Sequence, residues 1–221
     1  MFSVIFIVQP KTGLVDQYLG LAKLLKPEIE GIDGFLDNER FASRRNKAQI
    51  LSLSTWRDEK AVIRWRTLAI HYKAQEKGRF ELFQHYHLRV GEITADTHIP
   101  TGEVLREQRF DTTETGPATV ATISELTSSA DGMPDSGDLA ADLGLPEVGS
   151  DGLVDQAVFD SIYNPGKLLL LAAWRNASAA ERWKPSSGPV ELRHRRVRIV
   201  RDYGMADRRE APQYYPPVMA N

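Results

Sequence analysis

The sequence predicts an α+β fold, built from two fused copies of one βαββαβ unit, on the strength of three observations. All four tryptophans fall into two pairs of one spacing, Trp56 with Trp65 and Trp174 with Trp183. Sliding the sequence by 118 residues lays 41–66 over 159–184 without a gap, and ten of those 26 positions are identical; ordinary composition gives roughly one or two. The apolar periodicities of the first half read strand, helix, strand, strand, helix, strand. Self-similarity on this scale is read as tandem duplication of a structural unit.

The first copy justifies its elements in turn. Phe2-Ser-Val-Ile-Phe-Ile-Val8 is β-branched and aromatic and closes at Gln9-Pro10, so it is a buried strand. From Leu14 to Ile29, the residues Leu14, Tyr18, Leu21, Ala22, Leu24 and Leu25 recur at helical spacing. Pro27 falls near that helix's end, and Gly31 and Gly34 break the chain. Phe35 to Ser43 and Gln49 to Trp56 are strands turning at Asn46; the second alternates Leu51, Leu53 and Thr55 against Ser52 and Ser54. Asp58 caps one continuous helix with the stripe Ala61, Val62, Trp65, Leu68, Ala69 and Tyr72, and Gly78 ends it. Arg79 to Ile93 is the last strand. This order is the ferredoxin-like one, a four-stranded antiparallel sheet with both helices on one face.

The second copy is looser. Thr94 to Thr115 is a polar connector, Pro117 to Leu126 the first strand, and Asp138 to Leu143 the remnant of the first helix. The segment Thr127 to Gly137 between them is a loop by composition. Phe159 to Tyr163 and Lys167 to Trp174 repeat the central hairpin, and the helix Ala177 to Trp183 is cut off by Pro185, Gly188 and Pro189. Val190 to Tyr203 is a basic last strand, and the tail Ala211 to Pro217 is extended. The expected organisation is therefore 1–94, a connector 95–116, a degenerate repeat 117–207 and a tail 208–221. A sheet covered on one face only must bury the other, so the two halves are expected to pack sheet to sheet as an intramolecular pseudo-dimer. Ile63 and Ile70, opposite the buried stripe, are expected under the connector or tail or at a homodimer contact.

The totals exclude several classes. A chain of 221 residues that is 42% hydrophobic and 26% charged is ordinary for a soluble globular protein. Its net charge of −2 gives no reason to expect nucleic acid or an anionic membrane as partner. With no cysteine there is no disulfide, thiolate metal site or thiol nucleophile. The first apolar run has no basic leader or cleavage site, and nothing approaches the ~18 apolar residues of a span. A cytoplasmic protein is the expectation. Nucleophile elbow, phosphate loop, dinucleotide fingerprint and zinc-helix motif are all missing from the sequence.

Chemistry-bearing residues concentrate on the first copy's second helix, Trp65-Arg-Thr-Leu-Ala-Ile-His71-Tyr72-Lys-Ala-Gln75. At about 100° per residue, Tyr72 lies two turns beyond Trp65 on nearly the same line, with His71 and Gln75 on the border and Arg64 beside them. Such a helix sets an indole and a phenol in the gap between helix and sheet, with an imidazole at its mouth. Packing is the competing role for Trp56, Trp65 and Tyr72, and simple solvation for His71. On the last strand, His85, His87 and Arg89 project from one face and Tyr86 and Leu88 from the other. The two histidines have no third ligand at motif spacing, so no metal is expected. Arg40 and Arg44 are placed either to steady an anionic substrate or on a solvated sheet edge.

A strand ending Leu-Ser-Leu-Ser-Thr-Trp56-Arg-Asp, a helix with Trp65 and His71-Tyr-Lys-Ala-Gln75, then Gly78-Arg79 and a long strand resembles the antibiotic biosynthesis monooxygenase family. The likeness covers 1–94 well and 117–203 weakly, through the repeat. It implies a dimeric α/β barrel, here made by fused copies, with a ligand cavity between helix and sheet in each half. It also implies a monooxygenase that uses dioxygen on a small aromatic or enolisable substrate without flavin or metal. On that reading His71, with an ordinary pKa near 6.5, is the base that makes an electron-rich anion. Trp65 and Tyr72 are the stacking wall, Gln75 and His87 touch substrate, and Arg40 or Arg89 steadies the anion. The alternatives are a haem-binding or haem-degrading protein and a non-catalytic small-ligand binder. The haem-degrading branch expects a first-strand asparagine and a histidine ten residues beyond the helix tryptophan; here stand Ser3, Ile7 and Gln75.

Overall fold

The computed structural model describes residues 1–127, 138–185 and 191–212. Its strands are Phe2–Pro10 (β1), Phe35–Ser43 (β2), Ile50–Trp56 (β3), Phe83–Asp96 (β4), Val120–Thr127 (β5), Leu153–Ser161 (β6), Lys167–Trp174 (β7) and Glu191–Gly204 (β8). Its helices are Val15–Leu24 (α1), Lys26–Glu30 (α2), Glu59–Thr67 (α3), Ala69–Lys77 (α4), Leu139–Asp142 (α5) and Ala177–Arg182 (α6). Among the described residues no helix is long and apolar enough to cross a membrane.

The eight strands close into one antiparallel barrel, in the order β1-β3-β2-β6-β7-β5-β8-β4. Each half supplies a ferredoxin-like run, β4-β1-β3-β2 and β8-β5-β7-β6. The runs join at a short β2–β6 seam, Phe41↔Ser161 to Ser43↔Phe159, and a long β4–β8 seam, His87↔Gly204 to Asp96↔Arg195. The expected face-to-face stacking of two sheets is thus a closed ring, which pairs strand edges that two separate sheets leave open. The bare faces become a lumen filled by Ile5, Phe41, Leu53, Ile93, Ile123, Phe159, Leu171, Val197 and Ile199, with every strand contributing. One end of that lumen is ionic. Lys167 bridges Glu39 and Glu125, and buried Arg195 pairs with Glu125 and donates to Thr55 Oγ1 at 3.0 Å.

Helices cover the outer face in both halves, and the same local devices hold them. Trp56 is fully buried among Phe2, Ala61, Val62, Val90 and Val200, and Trp174 among Val120, Ala179, Ala180 and Trp183. Trp56 pairs with Phe2 and Phe35, and Trp174 with Val120 and Leu153; each hairpin is then bulged, between Phe35 and Asp37 and between Leu153 and Asp155. Gly34 and Gly152 precede those bulges with φ of +88° and +87°. A Cβ there would come within 2.8 Å of Ala61 Cβ and 2.6 Å of Ala179 Cβ, so only glycine lets the helix sit this close. Asp58 and Asn176 cap α3 and α6 by accepting from Ala61 N and Ala179 N at 2.8 and 2.9 Å.

Several elements depart from the sequence expectation. The first helix is two, α1 and α2, because Pro27 has no N–H to continue the ladder. The second helix breaks at Leu68, whose ψ of 128° is extended. α4 ends at Gly78 as expected, but the winding continues as a π-helical turn over Gly78–Leu82, so β4 starts at Phe83 rather than Arg79. β5 begins at Val120 and not Pro117, because 113–119 runs along the free edge of β8 (Thr113 N donates to Ile199 O at 2.8 Å, and Ile199 N to Thr119 O at 2.9 Å). β6 begins at Leu153, six residues before the expected Phe159. Glu92, fully buried, fastens the connector by accepting from Gln108 N, Arg109 N and Arg198 Nη2. Residues 128–137 of the expected loop and 213–217 of the expected extended tail lie outside the described residues.

Candidate functional site

The break at Leu68 creates a polar cluster in the first half. In an unbroken helix the carbonyls of Trp65 and Arg66 would accept from the amides four residues on. Thr67 turns its hydroxyl back onto Ile63 O at 2.9 Å, and the chain swings out at Leu68. The Trp65 carbonyl keeps a long bond from Leu68 N at 3.3 Å and also takes His71 Nδ1 at 2.9 Å, and the Arg66 carbonyl takes Gln75 Nε2 at 2.9 Å. The same turn lays the His71 ring flat on the Trp65 indole, with centroids 3.9 Å apart and planes 14° apart. Trp65, His71 and Gln75, expected together from their spacing, do meet, though through a broken helix rather than along one face.

Burial pushes the His71 imidazole down to about 4, against the opposing pull of its bond to the Trp65 carbonyl. The ring is therefore neutral at pH 7, where a histidine at its ordinary value of 6.5 is about one-quarter protonated. Nδ1 lies 2.9 Å from the Trp65 carbonyl and 3.2 Å from Gln75 Nε2; a carbonyl can only accept, and the shorter contact favours the proton on Nδ1 and the lone pair on Nε2.

The other expected residues go elsewhere. Tyr72 is half-buried on α4 and donates to Glu76 Oε1 at 3.3 Å. Arg40 lies outside the barrel under α1, where its charge opposes the upward push of burial on the Tyr18 phenol. His87 and Arg89 face the lumen side of β4, and both hold Asp202 of β8, Arg89 Nε at 2.9 Å. Burial pushes the Asp202 carboxyl up, but those two partners outweigh it and keep it below the usual range. Arg44 is engaged by Asp160 across the β2–β6 seam. Among the described residues no group of three ligating side chains could hold a metal ion.

A cleft of about 510 Å³ lies one residue from this cluster, between α3 and the outer face of the β4–β8 seam. Val62, Ile63 and Val90 give it an apolar side; Glu59, Arg66, Arg201, Tyr203 and 209–212 complete the wall. None of the seven residues expected at the site lines it. Arg66, Arg201 and Tyr203 were missed because one is an ordinary border residue of a helix and the other two are in the second half. Their one sequence signal is the i, i+2 spacing of Arg201 and Tyr203, which puts both on one face of β8. That β8 adjoins β4 is not written in any local pattern. In the second half, Trp183 packs on Trp174 at 5.7 Å and donates to Leu143 O at 3.1 Å.

Residues 1–77 match the sequence pattern of the family described as antibiotic biosynthesis monooxygenase. A jasmonate monooxygenase ABM of Pyricularia oryzae is 41% identical over 221 residues, spanning 98% of this chain and 99% of that protein. Among solved structures, an aldoxime dehydratase in complex with butyraldoxime superposes with a TM-score of 0.54 at 13% identity, over 93% of this chain and 80% of the other. A putative monooxygenase from Lactobacillus acidophilus gives a TM-score of 0.40 at 10% identity, over 91% and 94%. At these identities the structures speak to the fold alone.

Proposed function

Since this chain belongs to the antibiotic biosynthesis monooxygenase family, we propose that its monooxygenase chemistry takes place in the cleft between α3 and the β4–β8 seam. The observation that carries this reading is the position of that cleft. It opens beside α3, within the residues that match the family, and is completed by β8 and 209–212 of the second half; it has an apolar side of Val62, Ile63 and Val90, and is large enough for a small ring compound. The proposed substrate is a small aromatic or enolisable molecule, oxidised without flavin or metal. Deprotonation gives a carbanion or phenolate that passes one electron to dioxygen; the radical pair combines to a peroxide, which loses water. A CH2 group becomes C=O while dioxygen supplies that oxygen and one water, so no outside reductant is consumed.

His71 is the proposed proton acceptor, with Trp65 as the wall its ring stacks on and Gln75 fixing the turn. Its neutral ring and open Nε2 lone pair suit the role. The role requires a substrate that reaches past Arg66 to the Trp65 side. Jasmonate is the first compound to test, given the relative's name. Oxygen uptake with jasmonate, and isotope from labelled dioxygen in the product, is the expected result. No uptake with jasmonate or with a panel of enolisable ketones and phenols would overturn the reading.

The fused-copy organisation is proposed as well, with repeats at 1–94 and 117–207. Its support is that the bulges, the glycines at 34 and 152, the caps at 58 and 176 and the paired tryptophans all stand 118 residues apart. The last strands correspond at 106 instead, since Trp56 to Phe83 holds α3, α4 and the π turn where the described part of Trp174 to Glu191 holds α6.

A further inference from the structure

Most guanidinium groups around the cleft are spoken for. Arg109 is held by Glu59 and Asp111, Arg198 by Glu92 and Glu107, Arg89 by Asp202, and Arg209 by Asp207. The two carboxylates on the cleft wall are likewise engaged. Glu59 accepts two bonds from Arg109, at 2.8 and 2.9 Å, and Glu210 accepts from Thr113 Oγ1, Glu114 N and Asp202 N at 2.6–2.7 Å. Arg66 and Arg201 differ. Both line the cleft, and among the described residues neither guanidinium makes a hydrogen bond or ion pair. The Tyr203 hydroxyl beside them also has no hydrogen-bond partner among the described residues, although its ring is buried.

We propose that Arg66, Arg201 and the Tyr203 hydroxyl form a subsite for a single carboxylate group, which anchors a small apolar acid with its body against Val62, Ile63 and Val90. This rests on the cleft being the place where the monooxygenase takes its substrate, and adds the charge class of that substrate and the residues that select it. Two forked donors and a phenol O–H match the oxygens of one carboxylate. Charge favours a monoanion over a phosphate, because Glu59 and Glu210 stand in the same wall and repel a second negative charge. Burial pushes the Tyr203 phenol up while the Arg66, Arg208 and Arg201 charges pull it down, which places Arg66 and Arg201 within Coulombic reach of that hydroxyl and leaves it protonated as a donor; Arg208 is itself bonded to the Tyr86 hydroxyl.

The test is calorimetric titration in the absence of oxygen, with jasmonate and with its uncharged methyl ester. Wild-type protein is expected to bind the acid at least ~10-fold more tightly than the ester. Arg66→Gln and Arg201→Gln are each expected to weaken acid binding by roughly 10–100-fold and to bring the acid-to-ester ratio towards one, with part recovered in Arg66→Lys. Tyr203→Phe removes only the hydroxyl and keeps the test available should an arginine variant fail to fold; it is expected to cost ~3–10-fold for the acid. Equal binding of acid and ester to the wild type overturns the subsite, as does an acid-to-ester ratio that survives the arginine changes. Oxygen uptake, measured separately, isolates the functional reading. Acid-selective binding without uptake supports the subsite and removes the monooxygenase assignment of the cleft, whereas equal uptake with acid and ester does the reverse.

Discussion

His194 meets the Trp183 indole edge-on, with centroids 5.3 Å apart, just as His71 lies flat on Trp65 at 3.9 Å. Each of the two helix tryptophans therefore carries an imidazole, and burial lowers both imidazoles to about 4. His194 is tied at Nδ1 to Ser124 Oγ at 2.9 Å, and the cations Lys184 and Arg196 lower it further.

These two rings make stability depend on pH in a narrow window. An unfolded chain protonates its histidines near pH 6.5, whereas the folded chain does so only near 4. Between those values the unfolded state binds more protons, so stability rises with pH, is complete above about 6.5 and is lost progressively towards 4. Calorimetric Tm is expected to fall steadily from pH 7 to pH 5, before most carboxylates titrate. His194→Leu should flatten that slope by about half, because it removes one of the two rings whose protonation is held down in the folded state. An unchanged slope would show that His194 is protonated in the folded protein.

His71 has two separable jobs. Losing its bond to the Trp65 carbonyl and its ring contact, His71→Ala should cost about 1–2 kcal/mol of stability. As base, the same residue should also lower turnover by ~10²-fold, and kcat/KM should show no inflection near pH 6.5 because the ring is already neutral there. Gln75→Ala is the comparison, since it keeps the imidazole but removes the side chain that holds the same turn and lies 3.2 Å from His71 Nδ1. Equal losses of turnover in the two variants would make His71 a capping residue only.

The ionic end of the lumen should be sensitive to removal of one partner. Burial alone would push the Glu39 carboxyl up; bonds from Lys167, Ser161 and Asn164 reverse this and hold it below its ordinary value. Lys167→Met leaves Glu39 without a cation and Glu125 with Arg195 alone, and is expected to destabilise the protein by about 3–5 kcal/mol. Adding Glu39→Gln should recover part of that loss in denaturant unfolding; strict additivity of the two changes would mean that they do not interact.

Much of this fold can be read from the chain before its coordinates are known. Paired tryptophans, alternation in Leu51-Ser-Leu-Ser-Thr and the cap at Asp58 are local signals, and local signals survive into structure. The break at Leu68 is not readable, because the apolar stripe from Ala61 to Tyr72 continues through it. What stabilises the break is a pair of side chains, His71 and Gln75, that reach back to carbonyls an unbroken helix would have satisfied itself. The cleft is hidden for a different reason. Its wall joins Arg66 to Arg201 and Tyr203 through a seam between distant strands, and pairing of that kind is set by closure of the whole ring.

Closure also settles which surfaces can change. Glu92 lies opposite Arg198 on the β4–β8 seam and bonds it at 2.8 Å. Under the proposed duplication these two residues are counterparts of one another, so they straddle the axis relating the halves. In a ring assembled from two identical chains, whatever stands at that point faces its own duplicate, and a carboxylate would confront a carboxylate. Linking the halves covalently lifts that restriction: one side is free to become acidic and the other basic, and each half thereby becomes a poor partner for anything but the other.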